Sequence, residues 1–377
     1  MIISLKLTQF RNHQQVKLDG LGAFVGLVGP NGSGKTNILE AISFLAPGRG
    51  LRRAVLSDVG RHGQDGSWSL FAEIDSLYTP HKVGTGLSLQ TLLSDSNARD
   101  IHINQQKSAT QNALLDICRL LWLTPSMDGL FTGGAGDRRR LLDRWATTFE
   151  PSHAHHLSLY EKAMRQRNSA LQLPHSRPAF LDSLEDIMAL NAVAVALTRH
   201  DHILKLQNAI DMMRGETAFP WSKIALEGDI ESQIMAGATL TELEDHFKDQ
   251  LCASRKIDKE AGRTTKGVHK SDLLVWHGMK NMEARLSSTG EQKALLIGLL
   301  LAQLELLTHI DSDVARILLL DEVAAHLDAR RRQALFAHLA NSQLQIWMTG
   351  TDEDVFRAIG HDLQLFGLSD IGHITRL

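Results

Sequence analysis

Residues Gly29 to Thr36 read GPNGSGKT, a glycine-rich turn closed by a lysine and a hydroxyl residue. Glycines let successive backbone N–H groups converge on one small concavity, and a helix beginning near Lys35 adds the positive end of its dipole. The chemistry this supports is the cradling of nucleotide phosphates. Gly29, Pro30, Asn31, Gly32, Ser33 and Gly34 form the cradle, Lys35 reaches the β- and γ-phosphates, and the Thr36 hydroxyl ligates Mg2+. Asn37 follows at the helix start and joins the candidate nucleotide contacts. The run FVGLVG (Phe24 to Gly29) before the loop reads as a buried strand, and NILEAISFLA (Asn37 to Ala46) after it has helical spacing. An ordinary glycine turn has no need of that strand–loop–helix frame.

Far downstream, the apolar run Ile317-Leu318-Leu319-Leu320 ends in Asp321-Glu322. A strand buried on both faces delivers acids at its carboxyl end, where ligands bind in open α/β sheets. Asp321 is the candidate Mg2+ ligand, and Glu322 the group that orients or deprotonates an attacking water. Between the two sites, Leu286-Ser287-Ser288-Thr289-Gly290-Glu291-Gln292 precedes the helical run Ala294 to Leu307. This segment resembles the LSGGQ signature of ABC-type ATPases, with Ser288, Gly290 and Gln292 at the diagnostic places. A serine hydroxyl, a glycine backbone and a helix N-terminus make a second anion-binding edge. The resemblance implies that this edge meets the γ-phosphate held by a partner's P-loop, so that two subunits clamp ATP. Val323 to Asp328 resembles the D-loop of that class: Leu327 and Asp328 match, and Ala325 stands where a serine is usual.

A chain of 377 residues exceeds one compact core, so two lobes are expected. Hydrophobic content of 43% and charged content of 22% are those of an ordinary globular protein. Net charge is −3, with a pI near 6.7, so any DNA-binding surface must be a local patch. Two cysteines, Cys118 and Cys252, give no disulfide framework and fit a reducing compartment. The N-terminus alternates like a strand and lacks a signal-peptide pattern. The longest apolar stretch, Ala294 to Ala302, is too short to span a bilayer, so a cytoplasmic protein without membrane partners is expected. His153, His155 and His156 match no closed metal site and read as a solvated surface cluster.

Residues 1–120 read as strand-rich around the P-loop helix, with alternation in Ile3 to Leu7 and Trp68 to Ile74, and shorter strands over Gly84 to Leu93 and Asp100 to Ile103. Residues 121–265 turn helical: Phe180, Leu181, Leu184, Ile187, Met188 and Leu190 recur at helical spacing, and Leu240, Leu243, Phe247 and Leu251 mark a shorter helix. From 266 to 377 the pattern returns to α/β. The expected fold is therefore α/β, an ABC-type P-loop ATPase head with a mixed sheet and flanking helices. The head is discontinuous (1–120 and 266–377) and interrupted by an inserted α-helical lobe (121–265). The insertion lacks sustained heptads, which disfavours relatives with long coiled-coil arms.

Smaller motifs narrow the class. LTQFRNH (Leu7 to His13), GRGLRR (Gly48 to Arg53), MDGLFTGGAGDRRRLLDR (Met127 to Arg144) and TTKGVHKSDL (Thr264 to Leu273) accompany SSTGEQKALL. Together they resemble the RecF family of bacterial recombination and gap-repair ATPases over nearly the whole chain. Departures are Val268 for a proline, Lys270 for an arginine, Ser271 for an aspartate, Ser126 within the usual PED, and Glu322 for a second aspartate. Gln105 and Gln106 are the candidates for the glutamine of the ABC Q-loop. Carried over from FRN, Arg11 either contacts nucleotide or is a solvated strand-end arginine. Arg138, Arg139 and Arg140 stand at a helix start, where cations oppose the macrodipole and need compensation, by DNA phosphates or by intramolecular carboxylates. Arg52 and Arg53 either meet phosphate backbone or sit in an exposed turn. No spacing for base-specific readout is present.

The resemblance implies an ATP-dependent DNA-binding switch of recombinational gap repair. ATP joins two heads as a homodimer on gapped DNA or a single-strand/double-strand junction. Weak, DNA-stimulated hydrolysis to ADP and phosphate releases it, and RecR and RecO are partners in recombinase loading. The alternatives are a nucleotide-binding subunit of an ABC transporter, disfavoured by motif spacing and by Thr351 where a histidine is usual, and a small-molecule P-loop kinase.

Overall fold

The computed structural model describes residues 1–76, 79–93, 98–174, 177–309, 313–359, 363–369 and 373–377, without the side chains of 325, 326, 357 and 358. These residues form two compact units, Met1–Met127 with Ile310–Leu377, and Asp128–His309.

The first run supplies β1 (Ile2–Phe10), β2 (His13–Asp19), β3 (Phe24–Val28), α1 (Lys35–Ser43), β4 (Trp68–Asp75), β5 (Pro80–Leu87), α2 (Leu89–Leu93), β6 (Asp100–Ile103), β7 (Gln106–Lys107) and β8 (Cys118–Leu123). The second unit holds α3 (Ala135–Phe149), α4 (Ser152–Gln172), α5 (Pro178–Met212), β9 (Ser222–Glu227), α6 (Asp229–Met235), α7 (Leu240–Ala261), β10 (Asp272–His277), β11 (Met282–Glu283) and α8 (Thr289–Thr308). The chain then returns to the first unit with β12 (Ala315–Leu320), α9 (Ala329–Ala340), β13 (Gln345–Gly350), β14 (Leu363–Leu368) and β15 (Ile374–Arg376).

Two sheets build the first unit. One is antiparallel, in the order β2-β1-β4-β5-β6-β7; the other runs β15-β14-β3-β13-β12-β8 and is parallel from β14 to β8. Their sequences differ for a physical reason. β1 and β4 alternate because one face of their sheet meets solvent, whereas β3, β8, β12 and β13 are almost entirely buried and read as unbroken apolar runs. One apolar core, including Leu5, Leu7, Leu27, Ile38, Ile42, Leu319 and Trp347, joins the inner faces of both sheets and encloses α1. Gln345 fastens the sheets: it accepts from Ile2 N at 2.7 Å and donates to Ile2 O at 2.7 Å and Gly22 O at 2.9 Å.

The helical region closes later than expected, at His309 rather than near 265. Within it β10 pairs antiparallel with β9 from Asp272↔Glu227 to His277↔Ser222, and α8 packs on α5, so both elements are held by partners inside the insertion. At the other end β8, cut by the expected boundary at 120, pairs parallel with β12. The strand expected to run to Leu93 stops at Leu87 and gives way to α2. The expected solvated histidine cluster is also corrected: His153 is fully buried, its Nε2 2.9 Å from Asp143 Oδ1.

Buried ion pairs tie the second unit together. Arg167 donates to Glu185 at 2.8 Å, Asp258 at 2.7 Å and the Leu251 carbonyl at 2.7 Å, joining α4, α5 and α7. The TTKGVHKSDL segment fastens here too. Tyr160 Oη and His269 Nδ1 lie 2.7 Å apart, and His269 Nε2 bonds the Thr264 carbonyl at 3.0 Å. Gly267 has φ +123°, and a Cβ there would sit 2.4 Å from Tyr160 Oη.

Removing Arg167 takes the countercharge from buried Asp258 and leaves Glu185 to Arg255 alone, so Arg167→Leu should lower unfolding free energy by about 3 kcal/mol or more in urea denaturation. Burial also holds His202 and His269 neutral, each pushed down from 6.5 to about 4. A depressed histidine pKa gives stability that is complete above pH 6.5 and drains away as pH falls towards 4. The melting temperature should therefore drop between pH 7 and 5, and His202→Leu should narrow that drop. An unchanged drop in the variant would refute the assignment for His202.

Candidate nucleotide site

β3 ends at Val28 and α1 begins at Lys35, so the loop between them is held at both ends by buried elements. Only glycine fits at two of its positions. A Cβ at Gly29 would meet the Leu368 carbonyl at 2.3 Å; Gly34 has φ +100°, and a Cβ there would come within 2.5 Å of His13 Nε2. Pro30, Asn31 and Gly32 form an exposed tip, while Ser33 is buried with its hydroxyl unpaired. Lys35, 4% exposed, donates through Nζ to the carbonyls of Gly29 at 2.7 Å and Pro30 at 2.9 Å. Burial lowers its pKa, opposed by the nearby carboxylates of Glu322 and Asp321. The ammonium thus stays inside the loop, on two weak acceptors that phosphate oxygens can replace with a charge-assisted bond.

The acidic strand arrives beside it. Asp321, at the end of β12, accepts from Thr36 Oγ1 at 2.8 Å and from Thr349 Oγ1 at 2.8 Å, both on Oδ1. Glu322 is half-buried with φ +53°, a left-handed backbone for a non-glycine residue, and its N–H donates to Thr349 Oγ1 at 2.8 Å. Strain of that kind is kept where surrounding contacts over-determine it, commonly at functional sites. Thr349 was not anticipated from the sequence, which singled out Thr351 only as standing where transporter subunits usually carry a histidine. Thr351 is exposed beyond β13, whereas the β12–β13 register, with Leu320 opposite Met348, brings Thr349 level with Asp321. A hydroxyl closing an apolar strand was the signal available.

The FRN turn braces the loop from the other side. Asn12 Nδ2 donates to the Ser33 carbonyl at 3.3 Å, Asn37 Nδ2 to Asn12 Oδ1 at 2.7 Å, and His13 Nε2 to the Gly34 carbonyl at 3.1 Å. Arg11 makes a bidentate pair with buried Glu40 on α1, at 2.9 and 2.6 Å, and bonds the Asp58 carbonyl at 2.7 Å. Arg52 meets the same carboxylate at 2.9 Å and Asn37 Oδ1 at 2.7 Å. Arg53 is exposed in its turn with φ +55°. Neither Asn12 nor Glu40 was singled out from the sequence, and no local pattern marks a buried helical carboxylate as the anchor for two arginines.

In the second unit, Ser288 caps α8 through a capping box: its N–H and Oγ donate to Glu291 Oε2 at 3.2 and 3.1 Å. Lys280 and these two donors hold the Glu291 carboxyl down at about 2. Ser288, Thr289 and Gly290 are exposed, and a Cβ on Gly290 would meet nothing within 4 Å. Gln292 is buried and donates to the Ser287 carbonyl at 2.8 Å, so it shapes the loop from behind. In the first unit, Asp328 is exposed and caps α9, accepting from Arg331 N at 2.8 Å. The side chains of Ala325 and His326 lie outside the described residues. Gln105 and Gln106 are exposed at the β6–β7 turn.

The basic triplet is largely taken up by protein. Arg138 pairs with Asp272 at 2.8 and 2.7 Å and donates to the Gly133 carbonyl at 2.7 Å; Arg139 donates to the Ser271 carbonyl at 2.5 Å; Arg140 pairs with Asp137.

Thr349 holds Asp321 and the Glu322 backbone at once, so Thr349→Val should slow ATP hydrolysis by roughly tenfold or more, the scale of losing one positioning hydrogen bond to charged groups. Nucleotide affinity should change far less. A parallel loss of ATP affinity and turnover, read from equilibrium binding and single-turnover hydrolysis, would refute a positioning role.

Comparison with known proteins agrees with this geometry. The RecF/RecN/SMC N-terminal domain family profile matches residues 1–369. The DNA replication and repair protein RecF of Allorhizobium ampelinum is 44% identical over 371 residues, covering 98% of this chain and 97% of that protein. The RecF protein of Brucella abortus is 45% identical over 372 residues, covering 98% and 95%. Among solved structures, that of the recombination mediator protein RecF-ATPrS in the RecFOR pathway superposes with a TM-score of 0.86 at 21% identity, covering 100% of this chain and 98% of that one. An Smc head domain from Pyrococcus furiosus gives 0.55 at 15% identity, covering 100% and 96%. The α/β fold expected from the sequence, an ABC-type ATPase head, is the one these structures share. With its phosphate loop, acidic strand and bracing FRN turn assembled in one unit, and with relatives this similar over nearly its full length, the chain belongs to the RecF family of DNA replication and repair proteins.

Proposed function

We propose that the chain is an ATP-hydrolysing, DNA-binding switch of recombinational gap repair. ATP would join two heads on DNA, and slow hydrolysis would release them. The observation that carries this reading is the outward edge at the start of α8. Ser288, Thr289 and Gly290 are exposed at a helix N-terminus, the polarity and shape that suit an anion delivered from outside. In ABC-type heads that anion is the γ-phosphate on a second copy.

The residues of the first unit suit the hydrolytic step. Lys35 exchanges two carbonyls for phosphate oxygens, and Glu322 stands beside it to orient the attacking water and take its proton. Attack on the γ-phosphorus breaks the bond to the β-phosphate bridge and yields ADP and phosphate. The oxygen donors Thr36 and Asp321, 2.8 Å apart, fit Mg2+, a hard cation that takes its other ligands from phosphates and water. When bound, Mg2+ neutralises charge developing on the β- and γ-oxygens. Among the described residues no cluster of His, Cys, Asp and Glu offers a competing all-protein metal site. DNA stimulation of hydrolysis, and RecR and RecO as partners in recombinase loading at single-strand gaps, come to this reading from the family. The transporter alternative has no support in the relatives, which are repair proteins.

Glu322→Gln should bind ATP without turning it over and sediment as a dimer, and it should stay on gapped DNA with ATP but not with ADP. Ser288→Arg should bind ATP normally yet remain monomeric. A monomeric Glu322→Gln protein at saturating ATP would end the two-headed reading.

A further inference from the structure

The outward face of the antiparallel sheet carries a cross-strand row that the nucleotide site does not use. Register places Lys17 opposite Lys6, Lys6 opposite Phe71, Phe71 opposite Gly84, Gly84 opposite His102 and His102 opposite Lys107, one residue from each strand of the sheet. Alternation turns them all away from the core, into which their neighbours Leu5, Leu7, Leu70, Ala72 and Val83 point. Glycine inside a strand weakens it unless something must approach closely. Gly86 has an internal reason, since a Cβ there would lie 2.3 Å from the Trp68 carbonyl. Gly84 has none: a Cβ would meet only His102 Cβ, at 4.0 Å. The result is a notch between the Phe71 and His102 rings. An open surface groove of about 530 Å3, whose lining includes Thr8, Ser69, Phe71, Gly84, Asp100 and His102, runs over it.

We propose that this face binds single-stranded DNA, with an unpaired base stacked on Phe71 in the Gly84 notch and the flanking phosphates on the lysines of the row. The inference rests on the preceding reading only in taking DNA as the ligand. Stacking on an aromatic needs an exposed base face, which duplex DNA hides and a single strand offers. Six strands at about 4.8 Å spacing spread the row over roughly 24 Å, longer than one nucleotide. Lys6 Nζ lies 5.7 Å from the Phe71 centroid and has no carboxylate within 4 Å among the described residues. Of the acids on this face, Asp19, Glu73 and Asp100 pair with Lys17, Lys82 and Lys107 at 2.6, 3.8 and 2.8 Å, and Asp75 at the end of β4 is the fourth. Such exposed pairs are weak and exchange readily for phosphate.

The test is fluorescence anisotropy of a labelled oligothymidylate with the full chain, without ATP. Gly84→Val fills the notch in space that accepts it and favours a strand, and Phe71→Leu keeps an apolar side chain without the ring. Each should weaken binding roughly ten- to a hundredfold, the scale of one lost base–aromatic stack. Wild-type protein should bind an abasic oligonucleotide as poorly. Both variants should keep wild-type ATP hydrolysis and ATP-dependent retention on duplex DNA. Wild-type affinity in both variants, equal binding of the abasic strand, absence of oligothymidylate binding, or displacement by an equal concentration of thymidine monophosphate would each overturn the proposal. Loss of ATP-dependent retention in the wild type, with notch dependence intact, would remove the switch and leave this site standing.

Discussion

One carboxylate oxygen holds the candidate nucleotide site together. Asp321 Oδ1 receives hydroxyls from Thr36, 285 residues away in the chain, and from Thr349 on the adjoining strand. Buried at 5% exposure, it would be expensive to leave unpaired; two hydroxyl donors satisfy it, and the Lys35 ammonium lies near. The parallel order β3-β13-β12 makes this possible, because all three strands end on the same edge. The loop after β3, the acids after β12 and the hydroxyl at the end of β13 are thereby delivered to one place.

A second buried carboxylate sets the loop's outer wall. Glu40 lies on the helix that starts at Lys35, and its pairing with Arg11 and Arg52 fixes the FRN turn and the 48–53 turn against that helix. Asn37 and Asn12 continue the chain of bonds to the Ser33 carbonyl. The rigidity of the phosphate cradle therefore comes from side chains outside the loop, and motifs separated in sequence become parts of one brace. The second unit uses the same device. Arg167 joins buried Glu185 and Asp258 on two helices, Arg199 of α5 joins Asp143 of α3 at 2.7 Å and Glu231 of α6 at 3.8 Å, and Tyr160, His269 and Gly267 lock the TTKGVHKSDL segment into the helical core.

Arginines of the sequence motifs, Arg11, Arg52 and Arg138 among them, are paired with carboxylates of the protein itself. Arg138 and Asp272 compensate each other at the start of α3, so the unfavourable placement of cations at a helix N-terminus is offset within the lobe. Residues with lysines and aromatics displayed outward lie instead on the antiparallel sheet, whose solvent face is free to differ in composition from its buried one.

By itself the sequence determined the strand–loop–helix of the candidate phosphate site, the acidic strand, the helix that follows the SSTGEQ segment and the α/β class. Each of these is local: glycine spacing, an unbroken apolar run, or a helical period. Tertiary structure decided what depends on register and on contacts between distant segments. It put Thr349 beside the acids, made Glu40 an anchor, buried His153, and drew β10 and α8 into the inserted unit through pairing with β9 and packing on α5. Hydrogen bonds across hundreds of residues leave no period in the chain, because the partner that satisfies a buried polar group is chosen by the fold and not by its neighbours in sequence.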